Sequence, residues 1–229
     1  MAFPSQVRTL DDLRGPAGLL EAIMNTGAED APFAALVTHP HPLFGGTMHN
    51  KVVYNAMKAF AAFDLPVLRF NFRGTGRSEG VHDHGRGEID DVRAALDYVA
   101  AEFKRPILFA GFSFGSYTGL RACCGDSRVV GLTALGLPVQ AAGRDYTYEF
   151  IPSCSQPKLF ISGDNDDFCP SEVLRSVVAT APGRNTCHIV SGADHFFQGI
   201  PGSPEPKLAV MQGWMRSWLT EEFGLQAKS

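Results

Sequence analysis

The sequence predicts an α/β fold, in which a mostly parallel sheet is covered by helices on both faces. Short apolar runs rich in Val, Ile, Leu and Phe alternate with segments of helical length, and each run is almost continuously apolar. Strands that are buried on both faces, as in a parallel sheet, show this pattern. The clearest runs lie at about residues 33–38, 66–71, 106–110, 129–135, 158–162 and 186–190.

Further elements follow from the same patterns. Residues 19–25 predict an early strand. The clearest helix covers about residues 87–103, where apolar side chains recur at helical spacing and acidic side chains stand near the amino end, which the helix dipole favours. Residues 207–223 repeat the amphipathic pattern, and a further helix is expected from Ser171 onward. Residues 136–157 are the longest stretch without a clear period.

Length and composition limit the classes to which the protein can belong. Its 229 residues, of which 45% are hydrophobic and 19% charged, suffice for one sizeable core. No linker rich in Pro, Gly or Ser divides them, so residues 1–229 are expected to form a single domain. The net charge of -4 and the lack of a basic run argue against nucleic acid as a partner.

The sequence also indicates a cellular compartment. The amino terminus lacks a basic start followed by an apolar stretch, and no run of about 18 apolar residues occurs, so we expect neither export nor membrane association. The 5 cysteines have no C-x-x-C spacing, which argues against a zinc site and a disulfide framework. We therefore expect a cytoplasmic protein without a metal.

A serine between two glycines follows the strand at residues 106–110. The sequence Gly111-x-Ser113-x-Gly115 has the spacing of a nucleophile elbow, a tight turn from a strand into a helix that raises the serine hydroxyl above the sheet. The glycines allow other chain segments to approach closely. Ser113 is therefore the candidate nucleophile, provided that a base and an acid accompany it.

Candidates for both partners follow later strands. A serine nucleophile needs a base to accept its proton and an acid to orient that base. An acidic loop with Asp164, Asp166 and Asp167 follows one strand, and His195 follows the next. The carboxyl ends of parallel strands meet at one edge of a sheet, so these groups are expected to lie together. Asp194, directly before the histidine, is expected to point elsewhere.

With serine, acid and histidine in this order, each after a different strand, the chain resembles the α/β-hydrolase superfamily from about residue 19 to residue 223. The resemblance implies an α/β-hydrolase fold with a minimal lid or none. It also implies that Ser113 is the nucleophile and His195 the base. No metal or organic cofactor is expected.

The resemblance also selects among the acidic residues. In this superfamily the acid commonly follows a strand in a Gly-x-x-Asp loop that ends in a proline, and Gly163, Asp166 and Pro170 match this pattern. Asp166 is the preferred acid. Asp164 and Asp167 remain alternatives, and their structural role would be to cap the helix that follows.

The segment from Thr38 to Met48 resembles a narrower group of small, lidless bacterial hydrolases, whose neighbours in architecture are the dienelactone hydrolases. The superfamily takes one amide of the oxyanion hole from this loop and the other from the residue after the nucleophile, here Phe114. Because proline has no N–H, the two prolines of the loop are excluded. Leu43 is then the preferred second donor and His41 the alternative.

Other residues near these motifs are assigned structural or pocket roles. His39 and His41 have no further metal ligands around them and are expected to hold the loop in shape. The glycines after Arg73 lack the third glycine of a dinucleotide fingerprint, so no nucleotide cofactor is expected and Arg73 should tie loops together. The aromatic residues expected to edge an open substrate pocket are Phe44, Tyr146, Tyr148, Phe168, Phe196 and Phe197.

These observations predict a carboxylic-ester hydrolase whose partner is a small ester with a short acyl chain. A thioesterase, lactonase, perhydrolase or peptidase would use the same groups. A dehalogenase or epoxide hydrolase of this fold would need an acid at position 113, and a dienelactone hydrolase usually has Cys there. The alternative from another class is a non-catalytic binding protein on the same scaffold.

Overall fold

The computed structural model describes residues 6–141, 143–199 and 206–227. Eight strands in these residues form one sheet: β1 (Val7–Leu10), β2 (Ala22–Asn25), β3 (Ala34–Thr38), β4 (Val67–Phe70), β5 (Ile107–Phe112), β6 (Val129–Leu135), β7 (Lys158–Asn165) and β8 (Asn185–Asp194). Their spatial order is β1-β2-β4-β3-β5-β6-β7-β8. The pairs β1/β2 and β2/β4 are antiparallel, and the remaining pairs are parallel.

Helices cover both faces of this sheet, which confirms the predicted α/β class. They are α1 (Lys51–Ala61), α2 (Gly87–Phe103), α3 (Phe114–Cys123), α4 (Ser171–Ala179) and α5 (Lys207–Phe223). The bounds of α2 and α5 agree with the predicted ones. The first strand, β1, was not predicted, because it is an edge strand with mostly exposed side chains. The predicted strand at 19–25 is shorter, since Gly18–Leu19 pairs instead with Arg14–Gly15.

Alternate side chains of each central strand enter two separate apolar layers. In β5, Ile107 and Phe109 pack with helices α2 and α3, whereas Leu108 and Ala110 pack with α1 and α5. This alternation follows from the two-residue period of a strand. Each large apolar side chain that is buried contributes about 1.5–3 kcal/mol to the stability of the fold. Both layers therefore stabilise the sheet that carries the loops.

The six parallel strands bring the segments that follow them to one edge of the sheet. The segment after β3 begins at His39, the turn after β5 contains Ser113, and Asp166 and His195 follow β7 and β8. Arg73, in the loop after β4, donates to both carboxylate oxygens of the buried Asp91 of α2, the closer at 2.7 Å. This ion pair ties the loop to α2, as the sequence predicts for Arg73.

The segment between β6 and β7 covers residues 136–157, and its described residues are largely irregular. Its described residues include a small hairpin, in which the two-residue strands Gln140–Ala141 and Arg144–Asp145 pair, and a 3-10 turn at Ile151–Ser153. The hairpin lies beside the edge to which the loops converge. In the described part of the chain, no helix combines the length and the apolar character that crossing a membrane requires.

Candidate active site

Ser113 joins strand β5 to helix α3 in a strained backbone conformation. Its φ and ψ are 54° and -122°, a combination that residues other than glycine rarely adopt. The backbone N–H donates to the carbonyl of Leu135 in the neighbouring strand β6 at 2.9 Å. The turn thereby fixes the serine at the amino end of α3, and its hydroxyl is not used to cap the helix.

The glycines on either side of Ser113 are required by close contacts. A Cβ on Gly111 would lie 2.5 Å from the carbonyl oxygen of Gly115, and a Cβ on Gly115 would lie 2.4 Å from that of His39. Both distances are far inside van der Waals contact. The second distance means that the backbone of the loop after β3 lies directly against the elbow at Gly115. Pro40 and His41, which follow in that loop, line the same cavity as Ser113.

A continuous chain of hydrogen bonds links the serine to an acid. His195 Nε2 lies 2.9 Å from Ser113 Oγ, and His195 Nδ1 lies 2.9 Å from Asp166 Oδ2. All three residues are buried. The geometry requires the proton of a neutral His195 to be on Nδ1, because that nitrogen faces a carboxylate, and this leaves the Nε2 lone pair facing the serine hydroxyl.

The carboxylate of Asp166 is held in place from both of its oxygens. The hydroxyl of Ser162 donates to Oδ2 at 2.8 Å, and the backbone N–H of Phe168 donates to Oδ1 at 2.9 Å. Ser162 lies inside strand β7 and is fully buried. These bonds fix the direction in which the carboxylate faces His195.

The other acidic residues of these loops have different partners. Asp164 accepts a hydrogen bond from the Gly192 N–H at 2.7 Å, and Asp167 is exposed. Helix α4 begins after Pro170 without a side-chain cap, so neither residue caps it. Asp194 Oδ1 accepts from the N–H groups of Phe196 and Gln198 at 2.9 and 2.7 Å, and it thereby shapes the turn that carries His195.

His39 fixes the loop after β3 from inside the protein. The N–H of Phe72 donates to its Nε2 at 2.9 Å, so the ring proton is on Nδ1, which donates to the Pro40 carbonyl at 2.7 Å. Complete burial lowers its pKa from 6.5 to about 3. A neutral His39 therefore joins the loop after β3 to the loop after β4 through two hydrogen bonds, which is the structural role that the sequence predicts.

Two backbone N–H groups beside the serine have no hydrogen-bond acceptor among the described residues. They belong to Phe114, the first residue of α3, and to His41 in the loop after β3. Leu43, the preferred second donor of the oxyanion hole, was a wrong prediction, because its N–H is not free. The Leu43 N–H donates to His41 Nδ1 at 3.3 Å, and its side chain is 66% exposed and does not line the cavity above Ser113.

That cavity has a volume of about 220 Å³ and opens beside Ser113 and His195. Its walls are largely aromatic and include four of the predicted pocket residues, Phe44, Tyr146, Phe168 and Phe196, together with Phe114. Two predictions were wrong. Tyr148 is buried, with its hydroxyl bonded to the Pro138 carbonyl, and Phe197 is buried against Phe112.

Sequence reasoning missed Asn50, Gly46 and Ala141, which also line the cavity. Asn50 has a recognisable signal, because an asparagine directly before an apolar helical pattern is typical of a helix cap. Its position at the cavity depends on the preceding loop, which folds back at Gly46, where the N–H donates to the His41 carbonyl at 3.1 Å. No sequence pattern specifies that return.

Comparisons with known proteins identify the family and the fold of the chain. A family model for an alpha/beta hydrolase domain matches residues 36–218. An uncharacterized protein of Rickettsia prowazekii is 35% identical over 192 residues, which cover 80% of each chain. An alpha-beta serine hydrolase homologue from Coxiella burnetii has 32% identity and a TM-score of 0.80, with 96% of this chain and 99% of that chain covered. XC6422 from Xanthomonas campestris, an a/b serine hydrolase without lid, has 31% identity and a TM-score of 0.79, with 100% and 99% covered.

Proposed function

This chain belongs to the alpha/beta hydrolase domain family, and we propose that it is a serine hydrolase that cleaves small carboxylic esters. One observation carries the proposal: the hydrogen-bonded chain from Asp166 through His195 to Ser113, with 2.9 Å at each step of the histidine. A serine hydroxyl is a weak nucleophile alone and becomes effective when an oriented base accepts its proton.

The proposed reaction begins with attack of Ser113 Oγ on the ester carbonyl carbon, while His195 Nε2 accepts the hydroxyl proton. Asp166 stabilises the imidazolium that forms and keeps its ring in the required orientation. The carbonyl oxygen becomes an oxyanion, and the free N–H groups of Phe114 and His41 are the proposed donors to it. Each such donor contributes about 3 kcal/mol to the transition state in comparable sites.

The second half of the reaction uses the same groups. His195 returns its proton to the leaving alcohol oxygen as the tetrahedral intermediate collapses, which leaves the acyl group on Ser113. A water molecule then attacks the acyl carbonyl and gives its proton to His195 Nε2. Collapse of the second intermediate releases the carboxylic acid, and His195 returns its proton to Ser113 Oγ, which restores the serine hydroxyl. Each turnover thus converts one ester and one water into one alcohol and one carboxylic acid.

Steady-state hydrolysis of p-nitrophenyl butyrate tests this proposal. Ser113→Ala should lower kcat by about 10⁴-fold or more, because the attacking oxygen is lost. Ser191→Ala is the matched control, since Ser191 is an exposed serine at the end of β8 with no role in the site. Equal hydrolysis by the Ser113→Ala variant and the unaltered protein would refute the proposal.

Thioesters, lactones and amides are the substrates of the alternative activities. The same serine, histidine and oxyanion donors would serve each of them, so the acyl-enzyme step does not distinguish these classes. Matched substrates with one acyl group and an oxygen, sulfur or nitrogen leaving atom distinguish esters, thioesters and amides. A lactone compared with its open-chain ester distinguishes a lactonase. The proposal expects the largest kcat/KM for the oxygen ester after correction for the spontaneous reaction of each compound.

A further inference from the structure

Asn50 places a side-chain donor without a partner at the cavity. Its Oδ1 accepts a hydrogen bond from the Val52 N–H at 2.8 Å, which caps the amino end of helix α1. This bond assigns the oxygen of the amide to the helix and leaves the Nδ2 group, with its two N–H bonds, without an acceptor among the described residues. Asn50 also lines the cavity above Ser113.

His41 supplies a second donor of the same kind. Its Nδ1 accepts the Leu43 N–H at 3.3 Å, so in the neutral ring the proton is on Nε2, for which no described residue is an acceptor. Partial burial, with smaller contributions from the nearby His82 and Arg144, lowers the pKa of His41 from 6.5 to about 4. The ring is therefore neutral near neutral pH, and its Nε2–H is a fixed donor.

One loop carries both residues, and both line the cavity. The Gly46 N–H donates to the His41 carbonyl at 3.1 Å, and the Asn50 N–H donates to the Thr47 carbonyl at 3.0 Å, so the chain makes two turns between them. The aromatic residues Tyr146, Phe168 and Phe196 come from other loops and form apolar walls. The loop that carries His41 and Asn50 is the polar side of the cavity.

The charge of the cavity limits what the polar side can bind. No Lys or Arg is among the described residues that line it, and both unpaired donors are neutral. The nearby Arg144 lies over the Tyr146 ring and donates to the His84 carbonyl. A buried carboxylate would need a cation or several donors to offset its loss of hydration, whereas a neutral oxygen needs one or two donors. Two neutral donors therefore match a carbonyl, hydroxyl or ether oxygen.

We propose that Asn50 and His41 form a subsite for a neutral oxygen acceptor that the substrate carries in addition to its scissile ester group. The proposal rests on the hydrolase function above and narrows its substrate class to oxygen-bearing esters. An ester with such an oxygen satisfies both donors, while a plain alkyl ester leaves them desolvated and unpaired. Sites built to hydrogen-bond a substrate discriminate strongly against the analogue that lacks the acceptor.

Isosteric ester pairs test the subsite. In p-nitrophenyl 3-methoxypropanoate, an ether oxygen replaces one methylene of p-nitrophenyl pentanoate, and in 2-methoxyethyl acetate it replaces one methylene of butyl acetate. The first pair places the acceptor in the acyl group and the second in the alcohol. Each kcat/KM is divided by the rate constant for hydroxide-catalysed hydrolysis of the same ester. We expect the ether member of at least one pair to be favoured by about tenfold, as for one well-placed hydrogen bond.

The variants Asn50→Ser and Asn50→Asp isolate the donor from the cap. Both side chains keep an oxygen that can cap α1, and both lack the amide N–H. The preference for the ether ester should fall to about threefold or less in each variant. Asn55→Ser is the matched control, since the Asn55 amide bonds to Lys51 on the exposed side of the same helix, and it should keep the full preference.

The outcomes separate this proposal from the function on which it rests. If no ester of either pair is hydrolysed, the proposed hydrolase function fails. If all are hydrolysed but neither ether member is favoured, or if Asn50→Ser keeps the preference, the subsite is refuted while the hydrolase function stands. Thermal unfolding of each variant identifies any loss that comes from helix α1 rather than from the donor.

Discussion

At the residue scale, Asp166 and Asp164 stand two positions apart near the end of strand β7, yet their carboxylates have different partners. Asp166 bonds to His195 inside the protein, and Asp164 bonds to the Gly192 backbone at the surface. The period of a strand would point both side chains to one face. The register between β7 and β8 shifts between Gly163 and Asn165, and this irregularity separates them.

Asp166→Asn should lower kcat by about 10³- to 10⁴-fold while the fold is kept. The asparagine NH₂ group is a donor, so when it faces His195 it cannot accept the Nδ1–H bond. The ring then loses the orientation and the tautomer that the serine requires. Steady-state kinetics with p-nitrophenyl butyrate measure the effect. Asp167→Asn is the control, because Asp167 is exposed, and its kcat should be unchanged. A greater loss in the control would identify Asp167 as the acid.

His39 should make the stability of the protein depend on pH. The unfolded histidine binds a proton below about pH 6.5, whereas burial keeps the folded one neutral to about pH 3. Between these values the unfolded state binds more protons, so the free energy of unfolding falls as the pH is lowered. For this group the loss is about 2 kcal/mol between about pH 7.5 and pH 5.

Urea denaturation at these two pH values, for the unaltered protein and His39→Gln, measures the contribution. Glutamine does not titrate, so the pH-dependent loss of stability should be smaller in the variant by about 2 kcal/mol, whatever its stability at neutral pH. Equal losses in both proteins would mean that His39 is not held neutral by the fold.

At the scale of elements, the loop after β3 depends on the absence of a side chain at Gly115. Gly115→Ala would place a Cβ 2.4 Å from the His39 carbonyl oxygen. We expect the loop to move away, which lowers the free energy of unfolding by about 1–3 kcal/mol and kcat/KM by about 10²-fold as the His41 amide is displaced.

Gly213→Ala is the matched control for this substitution. Gly213 lies on the exposed side of α5, and a Cβ there meets no described atom within 4 Å. Alanine should stabilise the helix by about 0.5–1 kcal/mol and leave kcat/KM unchanged. Urea denaturation and steady-state kinetics of both variants measure the contrast. Equal stability changes in the two would contradict the packing described for the elbow.

The sequence was sufficient for the elements whose signal is local. The apolar stripes of α2 and α5 predicted their bounds, and the glycine spacing around Ser113 predicted the turn. Features that depend on tertiary contacts were not predictable. The Leu43 N–H is bonded to the His41 ring at the start of the turn at Pro42–Phe44, whereas the His41 N–H stays free, and no sequence pattern distinguishes these two amides. Likewise, both tyrosines are buried, but Tyr146 lines the cavity, whereas the Tyr148 hydroxyl donates to the Pro138 carbonyl instead.

At the scale of the whole molecule, the small cavity should set a preference for short acyl chains. Its volume of about 220 Å³ is below the range of about 300–1,000 Å³ that is usual for ligand pockets. p-Nitrophenyl acetate and butyrate should therefore be cleaved with a higher kcat/KM than the palmitate, measured below the concentration at which the palmitate forms micelles. The reverse order would refute a site for small acyl groups.

The central claim is that Ser113 is a nucleophile activated by His195, rather than a serine at the base of a binding pocket. The most direct measurement is the intact mass of the protein after reaction with a fluorophosphonate, followed by peptide mapping. We predict a single covalent addition on Ser113, its absence in Ser113→Ala, and slow addition in His195→Ala, because the base activates the hydroxyl. An unchanged mass of the unaltered protein would contradict the claim and favour a non-catalytic binding protein.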